Sequence, residues 1–312
     1  MTQRMCVLGE CMLEMSATLP TGESVGPASL SFGGDTLNTS IYYARLGGQV
    51  DYLSALGDDP LSAWMLENWR AEGVGCDHVV LDANGVPGLY MIQLDEQGER
   101  SFVYWRENSP ARGLLQSRDA VMKVLEQVSG YDMLYLSGIT LSLMTAESRA
   151  KLFEFAPGFR KNGGMIAFDS NYRPSQWASK TQSQLVYGQM YRCTDIALST
   201  ADDEYLLFDE SSAEEIVTRL ADWGVAELAL KDGAGDCLLH IDGKVVNVPT
   251  SPVAVVDTTA AGDSFNGAYL ASRNSGLEPI AAARNGHALA GVVIGHRGAI
   301  IARALMPKIS VA

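Results

Sequence analysis

The sequence predicts an α/β fold in which helices cover both faces of a mostly parallel sheet. Short apolar runs alternate with longer segments of helical periodicity along most of the 312 residues, and this alternation is typical of parallel sheets with helical connections. Hydrophobic residues make up 47% of the chain, which is enough to bury one large core. We therefore expect a single domain over residues 1–312.

The elements follow from periodicity and from the glycines that end the helices. An apolar run from Met5 opens the chain as a strand, and a second block, 50–57, has the same character. Further strands are predicted at 131–138, 165–171, 195–199 and 227–233, and helices at 36–47, 62–73, 146–163 and 212–224.

Two segments depart from this pattern. Residues 86–106 alternate around an Asp95–Gly98 turn, which predicts a β-hairpin. Residues 16–31 are rich in Gly, Ser and Pro and are expected to be extended. Together they predict a small β-sheet lid formed by segments of about 12–32 and 86–106, although a hairpin at the edge of the main sheet is an alternative.

Composition excludes several classes of protein. A net charge of −14 argues against nucleic acid as a partner, because such binding requires basic residues that neutralise phosphates. Five cysteines without a paired spacing favour a reducing compartment, and we expect a cytoplasmic protein. The apolar run at 288–295 is too short to cross a bilayer, so no membrane partner is expected.

The stretch VVDTTAAGDSFNGAYLAS, residues 255–272, carries the strongest chemical signal. It indicates an apolar strand, a turn of small residues at 260–262, and a helix with Asp263 in its first turn. Free N–H groups and the helix dipole make such a turn an anion site. Asp263 is placed to accept a proton from an attacking hydroxyl, although an acid there is also a common helix cap.

A second motif lies near the N-terminus, where residues 32–38 read FGGDTLN. Taken alone, Gly33 and Gly34 fit an ordinary turn before a helix, with Asp35 or Thr36 as the cap. Taken with DTTAAGDSF, the pair resembles the two motifs of the ribokinase-like (PfkB-type) carbohydrate kinases, in order and in context. The resemblance covers nearly the whole chain.

This resemblance implies a ribokinase-like three-layer sandwich that uses ATP and Mg²⁺. It implies that Asp263 is the catalytic base and that the backbone of Ala260, Ala261 and Gly262 binds the transferred phosphate, while Gly34, Asp35 and Asn38 contact the sugar. The family usually has Gly where this chain has Ala260. If that position requires a positive φ, Ala adds about 1 kcal/mol of strain.

Arginines and tyrosines point to an acidic acceptor. Tyr104 and Arg106 are two apart on one predicted strand, with Tyr90 on the facing strand, and Arg173 follows the strand at 165–171. Guanidinium groups match carboxylates. Arg106 can instead be a solvated arginine at a strand end, and Arg173 can pair with an acid such as Asp169 or contact ATP phosphates.

Within the family, the resemblance is greatest to the members that phosphorylate 2-keto-3-deoxy-D-gluconate at the carbon 6 hydroxyl. The alternatives are a kinase for a neutral sugar such as fructose and a non-catalytic sugar-binding regulator. Some members carry an acid in a late loop that contacts substrate. Here that loop, 294–299, reads IGHRGA, which leaves the role of Arg297 open.

The loop LKDGAGD at 230–236 is the best candidate for the nucleotide, although a hairpin turn is the ordinary explanation of such glycines. The nucleotide-binding residues are predicted to be Asn171, Thr200, Lys231, Gly233 and Gly235. The resemblance implies that Asp203 or Glu204 reaches Mg²⁺ through water, and no dedicated metal site is predicted. The resemblance further implies a monovalent cation near Asp257 and a homodimer formed through the lid sheets.

Overall fold

The computed structural model describes residues 3–17, 26–94 and 100–309. The strands in these ranges are β1 (Arg4–Leu8), β2 (Met12–Ala17), β3 (Ala28–Gly33), β4 (Gln49–Leu53), β5 (Ala55–Gly57), β6 (Val80–Asp82), β7 (Leu89–Leu94), β8 (Arg100–Trp105), β9 (Met133–Ser137), β10 (Met165–Asp169), β11 (Ile196–Ala197), β12 (Glu227–Leu230), β13 (Cys237–Ile241) and β14 (Lys244–Val248). The α-helices are α1 (Asp35–Arg45), α2 (Pro60–Ala71), α3 (Pro110–Gln116), α4 (Arg118–Val128), α5 (Gly138–Leu143), α6 (Ala146–Lys161), α7 (Lys180–Arg192), α8 (Ala201–Phe208), α9 (Ala213–Asp222), α10 (Ala261–Asn274) and α11 (Pro279–Val293).

The main sheet has the strand order β14-β13-β12-β11-β10-β9-β1-β4. Its strands from β4 to β12 are parallel, and β13 and β14 are antiparallel additions at one edge. One apolar cluster packs α4, α6, α7 and α9 on one face, and a second packs α1, α2, α10 and α11 on the other. The predicted three-layer arrangement with a mostly parallel sheet is confirmed.

A separate four-stranded sheet, β3-β2-β7-β8, is called the lid sheet below. The predicted hairpin is confirmed, because β7 and β8 pair antiparallel with Tyr90 opposite Tyr104. The edge-of-sheet alternative is wrong, since β7 pairs with β2 and not with the main sheet. The Asp95–Gly98 turn and residues 18–25 of the predicted excursion lie outside the described residues.

Two predicted strands are each divided in the structure. The first run leaves the main sheet after Leu8 and enters the lid sheet at Met12, so the residues between them form a crossing between two sheets. The run 50–57 breaks after Leu53, because β5 pairs with β6 instead of continuing the main sheet. Apolar character alone does not distinguish one long strand from two short ones.

The strand predicted immediately before Asp257 is wrong. Residues 251–256 form no ladder, and Val255 and Val256 are exposed. The N–H groups of Val256 and Asp257 both donate to the carbonyl of Ile294, at 2.8 and 3.1 Å. This segment is thus held by the loop after α11, and its apolar side chains lie on the surface.

The predicted helices are confirmed to within a few residues. The helix at 36–47 is α1, which is followed by Gly47 at φ 88°. The helix at 62–73 is α2, capped by the Asp59 carboxylate and followed by Gly73 at φ 89°. Across the described ranges, no helix combines the length and the apolar character needed to cross a membrane.

Candidate active site

The carboxyl edge of the main sheet and the start of α10 enclose a cavity of about 370 Å³. Parallel strands bring the residues that follow them to this edge, where open α/β sheets bind ligands. The cavity is lined by Asp35, Ile139, Asp169, Asn171, Arg173, Thr200, Asp203, Lys231, Thr258, Thr259, Ala260, Ala261, Gly262 and Asp263. Residues predicted for catalysis, for the sugar and for the nucleotide therefore meet in one place.

The turn before α10 has a positive φ at position 260, where the family usually has Gly. Ala260 lies at φ 59° and ψ 20°, in the left-handed region that Gly adopts without strain. The N–H of Ala261 donates to the carbonyl of Thr258 at 3.2 Å. Among the described residues the N–H groups of Gly262 and Asp263 have no backbone acceptor. Of the N–H groups at 260–262 that the sequence predicts to bind an anion, that of Ala261 is thus already bonded within the turn.

Asp263 faces the cavity from the first turn of α10. Its Oδ2 accepts a hydrogen bond from Asn38 Nδ2 at 2.8 Å, which links the two sequence motifs directly. Removal from water, reinforced by the charges of Asp35 and Asp169, raises the pKa of Asp263 to about 8, against the opposing effects of Asn38 and Lys231. A carboxyl with such a pKa is suited to accept a proton near neutral pH.

Lys231 places a buried positive charge beside this turn. Its Nζ donates to Asn266 Oδ1 at 2.9 Å and lies 3.4 Å from Asp169 Oδ1. A Cβ added at Gly262 would lie 3.5 Å from the same nitrogen. The Lys231 ammonium therefore lies next to the first turn of α10. Of the glycines predicted to accompany it, Gly235 lines a different cavity and Gly233 lines neither.

Asp35 and Asn171 form a pair, although the sequence assigned one to the sugar and the other to the nucleotide. Asn171 Nδ2 donates to Asp35 Oδ2 at 2.6 Å. Burial, with a smaller effect of Asp169, raises the pKa of Asp35 against the hydrogen bonds from Ser137 and Asn171. The neighbouring Gly34 must be Gly, because a Cβ there would lie 2.4 Å from the carbonyl oxygen of Glu10.

The structure separates the two candidates for a metal-directed acid. Asp203 lines the cavity and lies 3.5 Å from Arg173 Nη1, so the partner of that arginine is Asp203 and not Asp169. Burial raises the pKa of Asp203, and Arg173 opposes this. Glu204 lies in the core, where it accepts hydrogen bonds from Tyr191 and Arg219, and it does not line the cavity.

The aromatic residues predicted on the lid sheet lie together. The rings of Tyr90 and Tyr104 are 6.0 Å apart between centroids. The Tyr90 hydroxyl donates to the carboxylate of Glu14 on the neighbouring strand.

Arg106 follows the lid sheet and is 7% exposed, so its interpretation as a solvated arginine is wrong. It forms an ion pair with Glu10. None of Tyr90, Tyr104 and Arg106 is among the residues that line the 370 Å³ cavity.

The motif at 257–263 is also tied to the late loop. The Asp257 carboxylate accepts hydrogen bonds from the N–H and hydroxyl of Thr259 and from the N–H of Gly298. The adjacent Arg297 is exposed.

The sequence predicted no role for Asn266, Glu10 or Glu14, and for Asp169 only that it can pair with Arg173. Asp169 ends β10 at the carboxyl edge, and Asn266 lies three residues after Asp263 on one helix face, so position alone carried a signal for both. Glu10 and Glu14 gave no such signal, because their partners Arg106 and Tyr90 lie 96 and 76 residues away in the chain.

Comparison with known proteins identifies the family of this chain. The model of the pfkB family of carbohydrate kinases matches residues 2–305. The 2-dehydro-3-deoxygluconokinase of Escherichia coli K12 is 44% identical over 318 residues, covering 98% of this chain and 100% of that protein. The enzyme of the same name from Dickeya dadantii is 42% identical, covering 98% and 99%. A fructokinase of Salmonella typhimurium is 31% identical, covering 87% and 85%.

Solved structures share the fold at lower identity. A fructokinase of Xylella fastidiosa with bound ATP has a TM-score of 0.82 at 22% identity, covering 98% of this chain and 96% of that one. Ribokinase II of E. coli in complex with ATP and Mg²⁺ has a TM-score of 0.80 at 21% identity, covering 96% and 94%. With the cavity and the extent of the family match, these findings show that the chain belongs to the pfkB family of carbohydrate kinases.

Proposed function

We propose that the protein phosphorylates 2-keto-3-deoxy-D-gluconate with ATP at the carbon 6 hydroxyl, giving 2-keto-3-deoxy-6-phosphogluconate. The observation that carries the chemistry is the start of α10, where the Asp263 carboxyl lies beside two N–H groups without a backbone acceptor. The observation that carries the substrate is the identity of 40–44% over nearly the full length to proteins named 2-dehydro-3-deoxygluconokinase. The names of these relatives confirm the sequence prediction of a sugar kinase for this substrate.

In the proposed reaction Asp263 accepts the proton of the attacking hydroxyl. Charge on the transferred phosphoryl group is stabilised by the N–H groups of Gly262 and Asp263, by the α10 dipole and by the Lys231 ammonium. Asn38 holds the Asp263 carboxyl through its Nδ2. As the new P–O bond forms, the bond from the γ-phosphorus to the bridging oxygen breaks and ADP leaves. The proton on Asp263 is then released to solvent.

The residues at the cavity fit MgATP. Lys231 and the start of α10 supply positive partners for phosphates, and Asp169 and Asp203 supply carboxylates near them. In the described part of the chain no three His, Cys, Asp or Glu side chains group as a metal site. Mg²⁺ binds mainly through phosphate oxygens and water and neutralises the triphosphate, so the cavity carboxylates need reach it only through water. We assign Asp203 as the acid that reaches the metal through water.

For the acceptor, we propose contacts from Gly34 and Asp35, with Asn171 orienting Asp35. Tyr90 and Tyr104 belong to the lid sheet, and Arg106 directly follows it. We propose that these three side chains contact the sugar when the lid sheet covers the cavity. Arg106 is the proposed partner of the sugar carboxylate. Arg173 is exposed beside Asp203, and we place it with the phosphates.

The fructokinase alternative has weaker support, because the fructokinase of S. typhimurium is 31% identical to this chain. The non-catalytic alternative is not supported, since the full-length relatives are named as kinases.

A coupled assay of ATP consumption with 2-keto-3-deoxygluconate, fructose, ribose and gluconate tests the proposal. We expect strong preference for the keto-deoxy acid, and preference for fructose would overturn the substrate.

Three further features remain proposals. Exposed apolar residues of the lid sheet, among them Leu30, Val103 and Trp105, support a homodimer through these sheets, and light scattering tests it. The buried Asp257 carboxylate supports a monovalent cation nearby, which comparison of K⁺ with Na⁺ in the assay tests. We treat residues 1–312 as one cytoplasmic domain with lid segments 12–32 and 86–106, which cell fractionation and limited proteolysis address.

A further inference from the structure

The segment GECMLE, residues 9–14, connects the main sheet to the lid sheet and has no role in the proposed reaction. It contains two glutamates, and each is bonded to a residue that the sequence assigned to the sugar. Glu14 accepts from the Tyr90 hydroxyl, and Glu10 accepts from Arg106. This segment therefore contacts both lid residues at once.

Of the two glutamates, Glu10 is the more deeply buried. It is 5% exposed, and its carboxylate is bound on both oxygens. Oε2 accepts from Arg106 Nη2, and Oε1 accepts from the hydroxyl of Ser109, which is also buried. Two donors on two oxygens hold the carboxylate in place, and the carboxylate in turn anchors the guanidinium at Nη2.

The Glu10–Arg106 ion pair lies beside the backbone of Gly34, which belongs to the proposed sugar site. The carbonyl of Glu10 is so close to Gly34 that no Cβ fits between them. Arg106 Nε is buried and has no hydrogen-bond partner among the described residues. A buried donor without a partner is rare in folded proteins, and an oxygen of a bound sugar acid would supply the acceptor that Nε lacks.

We infer that Glu10 is a positioning residue for acidic-sugar recognition: it holds the Arg106 guanidinium so that an unused N–H faces the carboxylate of the sugar acid. This inference rests on the proposed function, since it takes the acceptor to be a sugar acid. Glu10 does not touch the sugar. Its effect passes through Arg106, and the length of its side chain matters more than its charge.

The test compares two substitutions of Glu10. Glu10→Asp keeps the charge but withdraws the carboxylate by about one bond, about 1.5 Å. Glu10→Gln keeps the length and one oxygen acceptor. We expect Glu10→Asp to raise the KM for 2-keto-3-deoxygluconate about tenfold, with kcat and the KM for ATP changed less than about twofold. The rise for Glu10→Gln is expected to be smaller.

Glu227→Asp is the matched control. Glu227 is also a buried glutamate bound to an arginine, Arg273, and to a hydroxyl, that of Tyr269. It lies at the start of β12, at the opposite end of that strand from the cavity. The same shortening there lowers stability without changing the KM for the sugar acid. An equal rise in both variants would reduce the role of Glu10 to general stability and overturn the inference.

Other outcomes are equally decisive. A larger effect of Glu10→Gln than of Glu10→Asp means that charge and not reach is used, and the inference is wrong. If Glu10→Asp does not fold, Ser109→Ala removes the donor on Oε1 and leaves the ion pair. It is expected to raise the same KM about threefold, and an unchanged KM would refute the inference. Wild-type enzyme without activity on the sugar acid would overturn the proposed function itself.

Discussion

The groups proposed for the transfer at the start of α10 are backbone N–H groups and one carboxyl, whereas those proposed for the acceptor at the lid sheet are side chains held by other side chains. The first arrangement is fixed by one turn and one helix within a single motif. The second depends on ion pairs and hydrogen bonds between residues 76 to 99 positions apart. The phosphate end is thus local in sequence, and the acceptor end is not.

The substitution with the largest expected effect removes the catalytic carboxyl at the phosphate end and leaves the acceptor end unchanged. Asp263→Asn removes the proton acceptor and is expected to lower kcat by about a thousandfold. The Asn oxygen still accepts from Asn38, so the melting temperature should not fall. Calorimetric titration with the sugar acid provides the control, because binding should persist. Unfolding of this variant would mean that Asp263 acts mainly as a cap.

Arg106 and Arg173 are expected to differ in how much each contributes to the free energy of unfolding. Arg106→Ala leaves Glu10 buried without its cation and is expected to lower the free energy of unfolding by about 3–5 kcal/mol. Arg173 is 53% exposed in its side chain, and Arg173→Ala should change the free energy by less than about 0.5 kcal/mol. Urea unfolding measures both. Equal losses would show that Arg106 and Arg173 are held in the same way.

The pH dependence follows from the raised pKa of Asp263. With a folded pKa of about 8 against an ordinary 3.8, the folded state binds an extra proton between these values. This contribution to stability is present at low pH and is lost as pH rises through about 8. We expect kcat/KM to rise over the same range as the base ionises. Asp35→Asn removes a charge that raises the pKa of Asp263, so its profile should shift to lower pH.

The smallest effect concerns the turn itself. Ala260 lies at φ 59°, so Ala260→Gly should raise the free energy of unfolding by about 1 kcal/mol. The kinetic constants should change little, because the Ala260 side chain has no part in the proposed reaction. Thermal unfolding measures the gain. A loss of stability would show that the neighbouring structure, and not the residue type, determines this conformation.

The same contrast explains how much the sequence predicted. The α10 turn, the position of Asp263 in the first turn of that helix and most of the strand–helix alternation depend on local spacing, and the structure has these elements where they were predicted. The pairs Glu10–Arg106 and Asn171–Asp35 arise from tertiary packing, and no local pattern encodes them. Residues 251–256 failed for a related reason, because an apolar run that belongs to a surface segment has the composition of a strand.

In the proposed function, the acceptor end recognises an acid through Arg106 while the start of α10 performs the transfer. The decisive measurement is the ratio of kcat/KM for 2-keto-3-deoxygluconate to that for fructose, in wild type and in Arg106→Lys. We expect the ratio to fall about tenfold or more in the variant, with the KM for ATP unchanged. An unchanged ratio would contradict it and place acid recognition elsewhere.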